Sequence, residues 1–177
     1  MGSAARWLVL VAALLPSCSD LGETVPHSIR DDADLFALIT LHDPFPQYVL
    51  FPDADSVVSG TLNGSSAHQP RVRVSMNARA FNVLRNGHLP NGTPFPDGSI
   101  IFKQIRTDTD SVVLYAVMYK DHGNPFADST SGWLWAEFTP QGFPFISLMQ
   151  RGRGCVGCHA REQGLQHDLV RTFERQR

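Results

Sequence analysis

The segment Cys155-Val156-Gly157-Cys158-His159 sets two thiols one helical turn apart and an imidazole directly after the second. That spacing lets both sulfurs form thioethers with the two vinyl groups of one haem, while the adjacent imidazole ligates the iron. The segment therefore reads as a c-type haem attachment motif: Cys155 and Cys158 hold one covalent haem c, and His159 is an axial iron ligand. In a chain with 3 cysteines, chance produces the pattern on the order of one time in a thousand. A zinc site needs further Cys or His ligands, and no second pair with ligand spacing occurs among His27, His42, His68, His88, His122 and His167. A thioredoxin-like dithiol follows a strand of a βαβ unit, whereas this one lies near the C-terminus behind Gly152-Arg153-Gly154.

The motif's position narrows the kind of haem protein. Only 18 residues follow His159; they contain no Met, and their single His is His167. A small electron carrier with an early motif and a downstream Met ligand cannot be built from this chain. The iron is then five-coordinate or weakly capped, which suits binding or reacting with a small molecule more than pure electron transfer. A four-helix bundle tolerates a late motif, but 12 Pro, 14 Gly and several period-two segments argue against long helices.

A second residue with chemical potential is Lys103. In the expected strand 99–106, alternation puts Ile101, Lys103 and Ile105 on one face and Ile100, Phe102, Gln104 and Arg106 on the other. A lysine held among isoleucines can be a neutral, nucleophilic amine. At a sheet edge, it would simply hold its ammonium in water.

The elements that must position these residues follow from the pattern along the chain. Asp31, Asp32 and Asp34 ahead of Leu35, Phe36, Leu38 and Ile39 predict a short helix. Residues 47–51 read as a strand, and residues 52–70, rich in Ser, Gly, Asn and Asp, as a long exposed loop. Residues 71–76 alternate as a half-buried strand, and Asn77 is the expected N-cap of a helix over 78–86 ended by Gly87. Strands 99–106 and 111–120 make a hairpin after a turn-rich stretch, and 132–138 is a further strand. The haem motif is expected on a short helix and residues 165–173 on a closing one. The fold class is mostly β (α+β): an antiparallel sheet domain over residues 31–177 with peripheral helices and the haem motif near its C-terminus.

The N-terminus carries targeting information. Arg6 precedes the apolar run Trp7-Leu8-Val9-Leu10-Val11-Ala12-Ala13-Leu14-Leu15, too short to span a bilayer. Leu15-Pro16-Ser17-Cys18 resembles a bacterial lipobox, so residues 1–17 read as a lipoprotein signal peptide and Cys18 as the lipid attachment site. Ordinary signal cleavage nearby is the alternative. Residues 18–30 read as a tether, which places the protein on the periplasmic side of a bacterial membrane, held by lipid alone or soluble. With Lys and Arg at 15 against 17 Asp and Glu, and no long basic cluster, nucleic acid is not expected as a partner.

The order of several segments resembles the cytochrome P-460 family and its relative cytochrome c′-beta. The matching features are the strand ending at Met76, Asn77, Ala80-Phe81-Asn82, Phe95-Pro96-Asp97-Gly98, Lys103, Val117-Met118-Tyr119-Lys120, Gly132-Trp133, Trp135-Ala136 and the haem motif. The resemblance covers about the last two-thirds of the chain. It implies a β-rich single-haem domain, usually a homodimer, and two functional branches. In one, a lysine matching Lys103 is bonded to a haem meso carbon, and the enzyme oxidises hydroxylamine with involvement of nitric oxide. In the other, the haem binds diatomic gases such as nitric oxide in an apolar pocket or transfers electrons without turnover. Lys103 favours the first, and the redox partner protein stays unknown.

The family's distal carboxylate lies shortly before the motif, whereas residues 139–154 contain no Asp or Glu. Met149 and Gln150 stand there instead, and Gln150 could orient a substrate by hydrogen bonding. The family's distal arginine falls near Arg71 and Arg73, with Val72 at the nominal position; either arginine could serve, Arg73 being the named candidate, and a solvent-facing strand residue is the plainer account. Phe143 and Phe145 are candidates for an apolar cap or for ordinary core packing. Trp133 and Trp135 are expected to pack the core or a subunit contact, and Glu137 on their face could reach the haem edge, with a solvated strand end the plainer account.

Overall fold

The computed structural model describes residues 28–51, 57–58, 68–90, 93–161 and 163–175. The expected signal peptide, Cys18 and most of the expected tether lie outside the described residues. One seven-stranded antiparallel sheet organises them: β1 (Val49–Leu50), β2 (Val57–Val58), β3 (Arg71–Met76), β4 (Ile100–Arg106), β5 (Val112–Lys120), β6 (Trp133–Phe138) and β7 (Pro144–Ile146). The order runs β1-β3-β4-β5-β6-β7, with β2 also paired to β3. The mostly β architecture expected from the sequence is the one observed.

Register sorts the side chains. Val74 pairs Lys103, Lys103 pairs Ala116, Ala116 pairs Glu137, and Met118 pairs Trp135. Directly opposed residues share a face. One face therefore carries Val72, Val74, Met76, Ile101, Lys103, Ile105, Met118, Trp133, Trp135 and Glu137. Its apolar members form a core with Phe95, Leu169, Val170 and Phe173, and Cys155, Val156 and Ala160 pack against it. The opposite face, with Ile100, Phe102, Val117, Tyr119, Leu134 and Phe138, packs on Leu35, Leu38 and Ile39. The haem motif thus lies over the face that carries Lys103.

The expected short first helix is present as α1 (Asp32–Ala37), capped by the Asp31 side chain and running on as a π-helical turn, Leu38–His42. Several other expectations are corrected. Residues 47–51 hold only the two-residue β1, because the 3-10 turn Phe45–Gln47 takes up their start. Within the expected loop, Val57–Val58 pairs with β3 as a short strand. Asn77 does cap a helix, α2, but it covers only Ala78–Phe81. The cause is the dipeptide Asn86-Gly87: both residues have positive φ (52° and 79°) and close a tight hairpin bridged at Arg85 and His88. The expected closing helix is two 3-10 stretches, Gly164–His167 and Arg171–Arg175, separated by left-handed Asp168 and Leu169.

Lys103 sits on β4, which β3 and β5 flank, so it is not an edge residue. Glu137 is 8% exposed rather than a solvated strand end. Phe143 and Phe145 are 70% and 67% exposed, so they do not pack in the core; Phe145 belongs to β7, at the margin of the sheet, where one side is unpaired among the described residues. No helix among the described residues is long and apolar enough to cross a membrane.

Candidate haem site

The motif folds as the short helix α3 (Val156–His159), entered through a tight turn in which the amides of Cys155 and Val156 both donate to the Gly152 carbonyl. Gly152 has φ 71°, and a Cβ there would lie 2.6 Å from the Trp135 ring, so only glycine lets the turn sit against the sheet. Neither motif sulfur is in a disulfide. Burial, with Glu137 and Cys158 nearby, pushes the Cys155 thiol up to about 11, so it is protonated at neutral pH. The surroundings resemble a dry pocket wall rather than an activated-thiolate site.

His159 is fixed from two sides. Its Nδ1–H donates to the Leu169 carbonyl oxygen at 2.7 Å, because a carbonyl can only accept. That assigns the tautomer and leaves Nε2 as the nitrogen with a lone pair, the state an iron ligand requires. The Trp135 indole meets the imidazole edge to face, 4.7 Å between centroids. Trp135 is itself held by a 2.9 Å bond from Nε1 to the buried Asp128 carboxylate. Burial, the Lys103 charge and, to a lesser extent, His68 and Arg171 lower His159 to about 3, which keeps the ring neutral. Behind the motif, the buried Arg171 guanidinium donates to the Cys158 carbonyl at 3.3 Å and lies 3.7 Å from its sulfur.

The residues fit a haem. An oriented imidazole and two thiols converge on a mostly apolar sheet face, and a Cβ built on Gly154 or Gly157 would meet nothing within 4 Å. No cluster of three or more His, Cys, Asp or Glu that could hold a bare metal ion occurs among the described residues.

Lys103 is joined to two further groups. Its Nζ donates to His68 Nδ1 at 3.0 Å, and His68 Nε2 donates to Glu137 Oε1 at 2.9 Å. An imidazole that accepts at Nδ1 carries its proton on Nε2, so the chain has one direction, Lys103 to His68 to Glu137. The His68 ring lies 6.4 Å from that of His159. Sequence reasoning missed this link, since His68 sits in a loop-like stretch with no motif around it.

Other candidates are placed apart. Arg73 pairs Gln104, is exposed, and lies on the opposite sheet face from Lys103. Gln150 is exposed at the end of the 3-10 turn Leu148–Gln150, beside Met149, which is 57% exposed.

The family model described as Cytochrome P460 matches residues 56–172. No curated protein matches the chain.

Proposed function

The chain belongs to the cytochrome P460 family, which implies a haem cofactor, and from that premise we propose that it is an exported mono-haem c-type cytochrome that oxidises hydroxylamine or reacts with nitric oxide at an open iron site. The observation that carries this reading is the hydrogen-bonded row Lys103–His68–Glu137 on the sheet face over which the motif lies. Cys155 and Cys158 would hold the haem, and His159 its iron; bound there, the haem supplies a redox-active iron that accepts electrons from the substrate.

Oxidising hydroxylamine releases protons along with electrons, and a buried site must remove them. Glu137 is the carboxylate available, and His68 relays between it and Lys103. The carboxylate that residues 139–154 lack is therefore supplied from β6, before that stretch. Lys103 is the residue whose position matches the lysine that is bonded to haem in the enzymatic branch. The apolar residues around it, Ile101, Ile105 and Met118, support the second reading, a pocket for an uncharged diatomic gas such as nitric oxide.

Mass spectrometry of the digested holoprotein separates the two readings. A haem peptide carrying Cys155 and Cys158 that is still joined to the Lys103 peptide, with hydroxylamine oxidation above that of free haem, supports the enzyme. Lys103 recovered free, with no such turnover, overturns it and leaves the gas-binding or electron-transfer module. The lipobox-like Leu15-Pro16-Ser17-Cys18 supports lipid attachment at Cys18 on the periplasmic side of a membrane. A homodimer is the assembly expected of a family member.

A further inference from the structure

We infer that Lys120 and Asp168 are positioning residues for the axial histidine: their buried ion pair locks the left-handed turn that presents the Leu169 carbonyl to His159. The inference rests on the haem reading of His159 and deepens it.

Lys120 ends β5 and is 0% exposed. A fully buried ammonium is costly unless its charge and its hydrogens are satisfied. Here Nζ donates to both carboxylate oxygens of Asp168, at 2.9 and 2.7 Å, and sits 4.6 Å from the centroid of the Trp133 ring. Asp168 is gripped from two more directions: its Oδ2 accepts from the Phe95 amide at 2.8 Å, and its carbonyl accepts from Trp133 Nε1 at 2.9 Å. The end of β5, the start of β6 and the segment before β4 thus converge on one residue near the C-terminus.

What they hold is an unfavourable backbone. Asp168 has φ 50° and Leu169 φ 65°. Aspartate tolerates the left-handed region, whereas leucine rarely enters it. Two such residues in succession separate the 3-10 stretches and turn the Leu169 carbonyl out of the helical path towards His159 Nδ1, 2.7 Å away. The Leu169 amide meanwhile donates to the Gly164 carbonyl at 2.6 Å, and Gly164 lies so close to the His159 carbonyl oxygen that no Cβ fits there. A continuous helix over these residues would direct the Leu169 carbonyl along its axis and leave His159 Nδ1 without its acceptor. An ion pair that served only to anchor the chain end would not need the two left-handed residues beside it.

A hydrogen bond from Nδ1–H to a carbonyl makes the imidazole a stronger donor to iron, which strengthens the iron–histidine bond and favours the ferric state. Asp168→Asn keeps a residue tolerant of positive φ and removes the charge; Lys120→Met removes the other half of the pair. Leu35→Val, in the core on the opposite face, is the control for general destabilisation. The holoproteins are compared by resonance Raman spectroscopy of the ferrous state and by redox titration.

We expect both Asp168→Asn and Lys120→Met to lower the iron–histidine stretching frequency and raise the reduction potential in the folded, haem-bearing protein, and Leu35→Val to move neither. Unchanged frequency and potential in both variants, with only a lower Tm, overturn the proposal in favour of a structural role. The wild-type protein gives an independent reading if neither variant folds: a stretch typical of a hydrogen-bonded imidazole supports the proposal, and one typical of a free imidazole ligand overturns it. Wild-type protein without covalent haem overturns instead the haem reading on which the proposal stands.

Discussion

The indole of Trp135 stands edge-on to the imidazole of His159, at 75° and 4.7 Å between ring centroids. It cannot swing away, because Asp128 holds its N–H and Gly152 closes against the same pyrrole edge, at Cδ1 and Nε1. The same Asp128 carboxylate accepts from the amides of Thr130, Ser131 and Trp133 and from the Ser131 hydroxyl. Asp128→Ala strands two buried donors at once, the Trp133 amide and Trp135 Nε1. The expected loss is about 3 kcal/mol, read as a Tm lowered by roughly 6–12 °C. A thermal melt of the holoprotein checks it, and a change under about 2 °C would show that the carboxylate does not organise this corner.

Glu137→Gln removes the proton acceptor but keeps the side chain's shape and a hydrogen bond to His68. If Glu137 takes up protons from the substrate, kcat for hydroxylamine oxidation falls about 100-fold while haem content and the absorption spectrum stay as in the wild type. His68→Phe interrupts the same relay and should produce a similar loss, and combining the two should add little further, since they act as one unit. Steady-state kinetics with an artificial electron acceptor measures all three proteins. Full activity in Glu137→Gln would remove the carboxylate from the mechanism.

Acid sensitivity has a local source at Asp97, whose Oδ1 accepts from both the amide and Nδ1 of His122 at 3.1 and 2.6 Å. Burial alone would raise this carboxyl, but the His122 hydrogen bonds and the positive charges of His122 and Lys120 outweigh it and hold it below its ordinary 3.8. A depressed folded-state value means the unfolded chain takes up the proton first as pH falls. The contribution is therefore complete above 3.8 and is lost as pH falls through the folded-state value. Asp97 is 46% exposed, so the effect is modest. Urea melts at a series of pH values should show the wild-type and Asp97→Asn curves converging below pH 3.8.

Lipidation at Cys18 makes a simple prediction about partitioning. The wild-type protein should sediment with membranes, and Cys18→Ser should appear in the soluble periplasm with its haem intact. Equal solubility of the two would exclude the anchor.

Much of the sheet could be read from period-two alternation. Strands β3 to β6 lie within a residue or so of their expected bounds, and the grouping of Lys103 with Ile101 and Ile105 follows from that periodicity alone. The haem motif was legible because its chemistry is compressed into five consecutive residues. The row Lys103–His68–Glu137 was not, since His68 lies 35 and 69 residues from the other two: strand pairing aligns Lys103 and Glu137 through Ala116, and His68 joins them from the turn before β3. The left-handed break at Asp168 and Leu169 was equally hidden: no glycine marks it, and it is imposed by a lysine on a distant strand. The helix expected over 78–86 stops at Phe81, because Gly87, which reads equally as a helix terminator, closes a hairpin with Asn86 instead.

The two faces of the sheet are closed by different parts of the chain. The core of Leu35, Ile39, Phe102, Tyr119, Leu134 and Phe138 is closed by the chain's own α1 region and involves neither cysteine of the motif. The other face is covered by the segment that carries Cys155, Val156 and Ala160, together with Leu169, Val170 and Phe173. The sheet is thus a two-sided frame, fastened behind by its first helix, with Lys103 and Glu137 mounted on the side left to the motif.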